Sequence, residues 1–150
     1  MTSFHSIFGL AVAAAFLAVA ALGWWRWRRF EPSDAFWRGL RAAQVLYLVY
    51  LAIAAVRFFS GERPRDDLYW IYALLPLAVS FMAEQLRISS AAAVLDSRGL
   101  PDAQAVGRLP TDEQRGVVVA ILRREMGVMA VAAAVVAGLM LRASLGFGGY

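Results

Sequence analysis

Four stretches of this chain are apolar all the way round a helix rather than along one stripe. The first, IFGLAVAAAFLAVAALGWW, runs over 7–25 without a charge, and three more follow over about 40–59, 68–86 and 125–142. A hydrocarbon core of about 30 Å needs roughly 20 apolar helical residues, so each stretch reads as a membrane-crossing helix. The third and fourth are short in strictly apolar residues, and their flanking arginines must reach toward the interface. The expected fold is therefore all-α: an integral membrane four-helix bundle forming a single domain over 1–150.

The connection over about 87–124 is the one sizeable polar segment, and its pattern is partly helical. Ala91, Ala92 and Leu95 continue helical spacing past the third span, then Gly99 and Pro101 supply a stop. LPDAQAVGRLP has room for one or two turns presenting Ala103, Val106 and Leu109. Thr111 followed by Gln114 reads as a capping box opening the last helix. Beyond it, Val117, Val118, Ile121 and Leu122 lie to one side, which predicts an amphipathic lead-in to the fourth span.

Composition narrows the chemistry. Of 150 residues 61% are hydrophobic and 17% charged, and mean hydropathy is +0.58, too apolar for a short chain to fold in water. All 15 basic residues are arginine, cysteine is absent and histidine occurs once, at His5. That excludes disulfide scaffolds, thiol chemistry, cysteine-based metal centres and bis-histidine haem ligation. No phosphate loop, nucleophile elbow or His-Glu metal motif is present. No cofactor, metal or catalytic residue is expected, and an enzyme acting alone is disfavoured.

The arginines also predict topology. Arg26, Arg28, Arg29, Arg38 and Arg41 lie between spans one and two, and Arg87, Arg98, Arg108, Arg115, Arg123 and Arg124 between three and four. Only Arg57, Arg63, Arg65 and Arg142 fall on the other side. Positive charge in short loops stays cytoplasmic, which places both termini outside the cytoplasm in a multi-pass cell-membrane protein. The first span has no positive charge before it and WWRWRR after it, the reverse of a cleaved signal peptide. Trp24, Trp25, Trp27 and Trp37 then read as anchors at the cytoplasmic interface. Phe58, Phe59, Tyr69, Trp70 and Tyr72 form the outer belt. The high pI of about 10.1 follows from arginines facing anionic lipid, and no nucleic-acid partner is implied.

Polar groups within the spans are the functional candidates. Helix two carries Gln44, Tyr47 and Tyr50; helix three carries Ser80, Glu84 and Gln85. In antiparallel neighbours Arg41 and Gln44 reach the depth of Glu84, which permits an Arg41–Glu84 or Arg38–Glu84 pair beside Gln44. Arg87 lies at i+3 from Glu84 and is a further partner. This cluster of Arg41, Gln44, Tyr47 and Glu84 has two readings: a proton or ion site, or an interfacial salt bridge that fixes register. One acid among several arginines favours the salt bridge. Pro76 should kink helix three and free the carbonyl of Tyr72. Glu62, Asp66 and Asp67 sit among Arg57, Arg63 and Arg65 and read as a solvated ion-pair loop. Gly9, Ala13 and Ala20 line one side of helix one and Ala14 and Ala18 another; Gly127, Ala134 and Gly138 mark helix four. All are small enough for close helix approach, within the bundle or between copies.

Three stretches, YALLPLAVSFMAEQLR, VLDSRGLPDAQAVGRLP and VVVAILRREMGVMAV, resemble small four-helix membrane proteins of high-GC Gram-positive bacteria. The resemblance covers roughly the C-terminal half and implies an architecture without residue roles. Two functions fit these observations. The first is a non-catalytic accessory or assembly subunit, packing in the bilayer against other membrane subunits or against itself. The second is a small oligomeric channel or carrier with a polar site at the cytoplasmic end of helices two and three.

Overall fold

The computed structural model describes residues 4–146. In chain order they form α1 (Phe4–Arg28), α2 (Asp34–Phe59), α3 (Leu68–Ser97), the short α4 (Ala103–Gly107) and α5 (Thr111–Leu141), closed by a π-type turn at Arg142–Gly146. There is no strand among the described residues. Four helices, α1, α2, α3 and α5, are long and apolar enough to cross a membrane.

Local chemistry sets most helix ends. Ser33 caps α2, its hydroxyl accepting from the Phe36 amide at 3.2 Å, and Asp102 caps α4 by accepting from the Ala105 amide at 2.8 Å. Gly99 ends α3 with φ +66°, the left-handed conformation in which glycine has no Cβ penalty. The Thr111–Gln114 capping box does not form. Pro110, at φ −55° and ψ 148°, takes the cap position without a side-chain hydrogen bond, so Thr111 is already helical. A proline cap has no N–H for Gln114 to receive, and the Gln114 amide instead donates to the carbonyls of Gly107 and Leu109 at 3.1 and 2.8 Å.

α3 and α5 are longer than a bilayer core. At 1.5 Å per residue their 30 and 31 residues span about 45 Å. Their surplus lengths pack together at the arginine-rich end, where Ser90, Val94 and Val117 are buried.

The bundle is an uneven ring. α1 packs closely on α2 and on α5, and α5 packs closely on α3, while the α2 and α3 backbones stay apart. α1 and α5 accordingly bury twice the share of their spans that α2 does. The interior is filled by Phe16, Leu40, Tyr47, Met126, Met129 and Val136. Between helices this apolar, small residues at the seams set how closely backbones approach. Gly9, Ala13 and Ala20 face inward, and so does Gly23, which the spacing did not single out. A Cβ on Gly23 would lie 2.5 Å from the Phe36 ring and 2.8 Å from the Ala130 methyl. Ala14, Ala18, Ala134 and Gly138 point outward, so they do not pack within the chain.

Candidate functional site

The wide α2–α3 seam is closed by side chains instead of by backbone contact. Moving along α2 from the arginine-rich end, each polar group meets one progressively earlier on α3, as antiparallel helices require. Three tiers result.

The first tier holds Arg41, Gln44 and Glu84. Arg41 Nη1 donates to Glu84 Oε1 at 2.8 Å and to Gln44 Oε1 at 2.7 Å. Arg87 Nε donates to the other Glu84 oxygen at 2.8 Å, and the Arg87 guanidinium lies 3.7 Å from Glu125. Arg87 also stacks over Trp37, 5.6 Å from its ring centre. Glu84 therefore has a cation on each carboxylate oxygen, in the geometry of a strong charge-assisted pair. The Glu84 side chain is 24% exposed and Arg41 53%, so this is a boundary network and not a buried charge. A groove of about 670 Å³, lined by Arg41, Gln44, Leu77, Phe81 and Glu84, opens beside it on the outer surface.

Tyr47 does not join that cluster. It turns into the core, where its hydroxyl donates to the Ala73 carbonyl at 2.7 Å. Carbonyls one turn before a helical proline can take outside donors, because the proline has no N–H and its ring pushes the turn open. Pro76 is buried within the continuous helix α3, and the carbonyl engaged is that of Ala73, next to Tyr72.

The third tier brings in a residue that sequence reasoning left isolated. His5 is fully buried; its Nε2 lies 2.7 Å from the Tyr69 hydroxyl, which is 2.8 Å from the Tyr50 hydroxyl. The imidazole stacks on the Tyr50 ring at 4.3 Å between centres. Tyr69 is likewise 0% exposed, not a member of an interfacial belt, because its hydroxyl is shared between two core partners. No local pattern flags this group: His5 and Tyr69 are 64 positions apart, and a single histidine has no period.

The tryptophans divide into two kinds. Trp24 and Trp25 are about half exposed, with Arg29 over the Trp25 ring at 4.4 Å. Trp27, Trp37 and Trp70 pack against the core cluster. In the loop between α2 and α3, Glu62 pairs with Arg57 at 2.6 Å, and the Asp66 carboxylate accepts from the Leu68 amide at 2.9 Å. Among the described residues no group of histidine and acidic side chains could hold a metal ion. Comparison of the chain with protein-family models, with curated proteins and with solved structures found no match.

Proposed function

We propose that the chain is a membrane four-helix bundle with both termini outside the cytoplasm, serving as a non-catalytic accessory or assembly subunit of a larger membrane assembly. The observation that carries this reading is the state of Glu84. The acidic group set deepest in the apolar spans is satisfied by Arg41 and Arg87, which leaves no unengaged carboxylate inside the spans among the described residues for proton or ion exchange. The tyrosines of the seam are used in the same way, on one another and on backbone. The orientation is supported by the side on which eleven of the fifteen arginines fall, and the connection carrying α4 then lies in the cytoplasm. Purification of the tagged chain from its native membrane in mild detergent tests the proposal. A partner at fixed stoichiometry, or a defined self-assembly, is expected; a solitary monodisperse monomer overturns it.

The 670 Å³ groove beside Arg41, Gln44 and Glu84 favours a second reading, an oligomeric channel or carrier in which copies meet along this seam. Flux in proteoliposomes that Glu84→Gln and Gln44→Ala leave unchanged removes those residues from any such path.

A further inference from the structure

Three arginines gather at the arginine-rich end on the side away from the α2–α3 seam. Arg98 from the end of α3 and Arg123 and Arg124 from α5 line a pocket of about 480 Å³ together with Trp27, Phe30 and Gly116. Arg41, Arg57 and Arg87 are matched to carboxylates, whereas Arg98, Arg123 and Arg124 have no ion-pair partner among the described residues. Arg123 is held in place: its Nε donates to the Trp27 carbonyl at 3.1 Å, and its guanidinium lies over the Trp27 and Phe30 rings at 4.4 and 3.8 Å. Phe30 reaches that position at φ +57°, a left-handed conformation uncommon for a bulky residue and costly to hold. Gly116 has no side chain to fill the space, and a Cβ there would meet the Arg98 guanidinium at 3.7 Å.

An apolar groove leads directly out of this pocket along the outer face of α5. Its first section, about 540 Å³, shares Trp27 and Arg124 with the arginine pocket and runs over Gly127 and Val131 between Trp24 and Leu86. A second section, about 630 Å³, continues past Val131 and Val135 beside Leu17. Gly127 keeps the floor low where the Trp27 indole crosses it, since a Cβ there would sit 2.9 Å from the indole nitrogen. From Arg124 to Val135 the helix rises about 16 Å, close to half of a ~30 Å hydrocarbon core and so to one leaflet.

We propose that the Arg98–Arg123–Arg124 pocket and the groove opening from it bind one anionic phospholipid, with the phosphate among the guanidinium groups and an acyl chain along α5. Charge and shape meet in the order a lipid presents them. The positive pocket lies at the end of the span, the apolar channel starts beside it, and a basic pocket between membrane helices is a known way to select acidic headgroups. A free phosphate would use the pocket and leave the groove without effect on binding. The site holds a lipid whether or not a protein partner exists.

Native mass spectrometry of the delipidated full chain, offered equimolar phosphatidylglycerol and phosphatidylcholine in detergent, tests the proposal. The wild type should retain one phosphatidylglycerol with about 30-fold preference, as two exposed guanidinium contacts supply. The double variant Arg98→Gln/Arg124→Gln, which spares the structurally engaged Arg123, should bring the preference to within about threefold. Val131→Trp, at an exposed groove position, should lower phosphatidylglycerol occupancy about tenfold while the preference persists, because it shuts out the chain and leaves the pocket. Equal retention of both lipids by the wild type overturns the proposal. So does undiminished phosphatidylglycerol binding by Val131→Trp, which would make the arginines a site for soluble anions.

Discussion

Adding a single methyl group at Gly23 should weaken the bundle, while the same change at Gly138 should strengthen it. A Cβ at residue 23 would lie 2.5 Å from Phe36 Cε2 and 2.8 Å from the Ala130 Cβ. Ordinary carbon contacts are about 3.5–4.0 Å, so the neighbours must retreat by about 1 Å. Phe36 is 0% exposed and has nowhere to rotate, and the Ala130 methyl is fixed to its backbone. Overpacking of this kind costs about 1–3 kcal/mol, and alanine's better helix propensity returns up to about 1 kcal/mol. Gly23→Ala should therefore destabilise by about 1 kcal/mol, the middle of the overpacking range less the propensity gain. At Gly138 nothing lies within 4 Å of the added atom, so only the propensity gain of up to about 1 kcal/mol remains. Unfolding by SDS titration in mixed micelles, followed by tryptophan fluorescence, measures both. Trp37, edge-on to Phe36 at 5.2 Å, is one of the five tryptophans that contribute to that signal. Phe36→Leu should relieve the crowding, so the double variant Gly23→Ala/Phe36→Leu should be more stable than the sum of the single changes by at least about 0.5 kcal/mol. Gly23→Ala at or above wild-type stability, or strict additivity with Phe36→Leu, refutes the reasoning.

The same titration separates the tiers of the seam. Tyr69→Phe removes an oxygen shared by His5 and Tyr50 and should cost about 1–3 kcal/mol, against about 0.5–1.5 kcal/mol for Tyr47→Phe; the reverse order contradicts a shared hydroxyl at the core. Glu84→Gln should cost less than about 1 kcal/mol, since Arg41 is half-exposed, Arg87 and Glu84 are only partly buried, and pairs open at a boundary contribute little; a loss above about 3 kcal/mol would mark a fully desolvated charge. With no native cysteine, Ser60→Cys and Ser97→Cys are clean reporters of topology. A membrane-impermeant maleimide applied to intact cells should label the first and spare the second, and the opposite pattern inverts the proposed orientation.

The four long helices were legible because a run of about 20 apolar residues, the length a bilayer core demands, is marked by length alone. α1 extends beyond its expected 7–25 at both ends, and α5 begins well before 125 and gives way to the π-type turn at Arg142. Depth along antiparallel helices was enough to place Arg41 and Gln44 beside Glu84, since it needs only rise per residue. Lateral order was not legible. Helices that are apolar on all sides carry no stripe to say which neighbour they face, so the close α1–α5 contact and the wide α2–α3 seam had no signature. Small residues showed the same limit, because Gly23 and Gly138 look alike in sequence and differ only in what lies opposite. His5 and the Arg98–Arg123–Arg124 group are assembled from distant segments, and spacing rules see only near neighbours. The capping box failed for a local reason, a proline immediately before Thr111.

The uneven ring also fixes an order of assembly. α2 has α1 as its close neighbour, so the first two helices can pair as soon as both are made. α3, inserted next, finds little of the backbone of α2 to rest against, and its tyrosine and arginine links can only tether it loosely. The inner face of α1 and one face of α3 are both covered by α5, which is made after them. Three of the four helices thus settle only once α5 is in place, and a chain cut before α5 should keep the α1–α2 hairpin and leave α3 without its main packing partner.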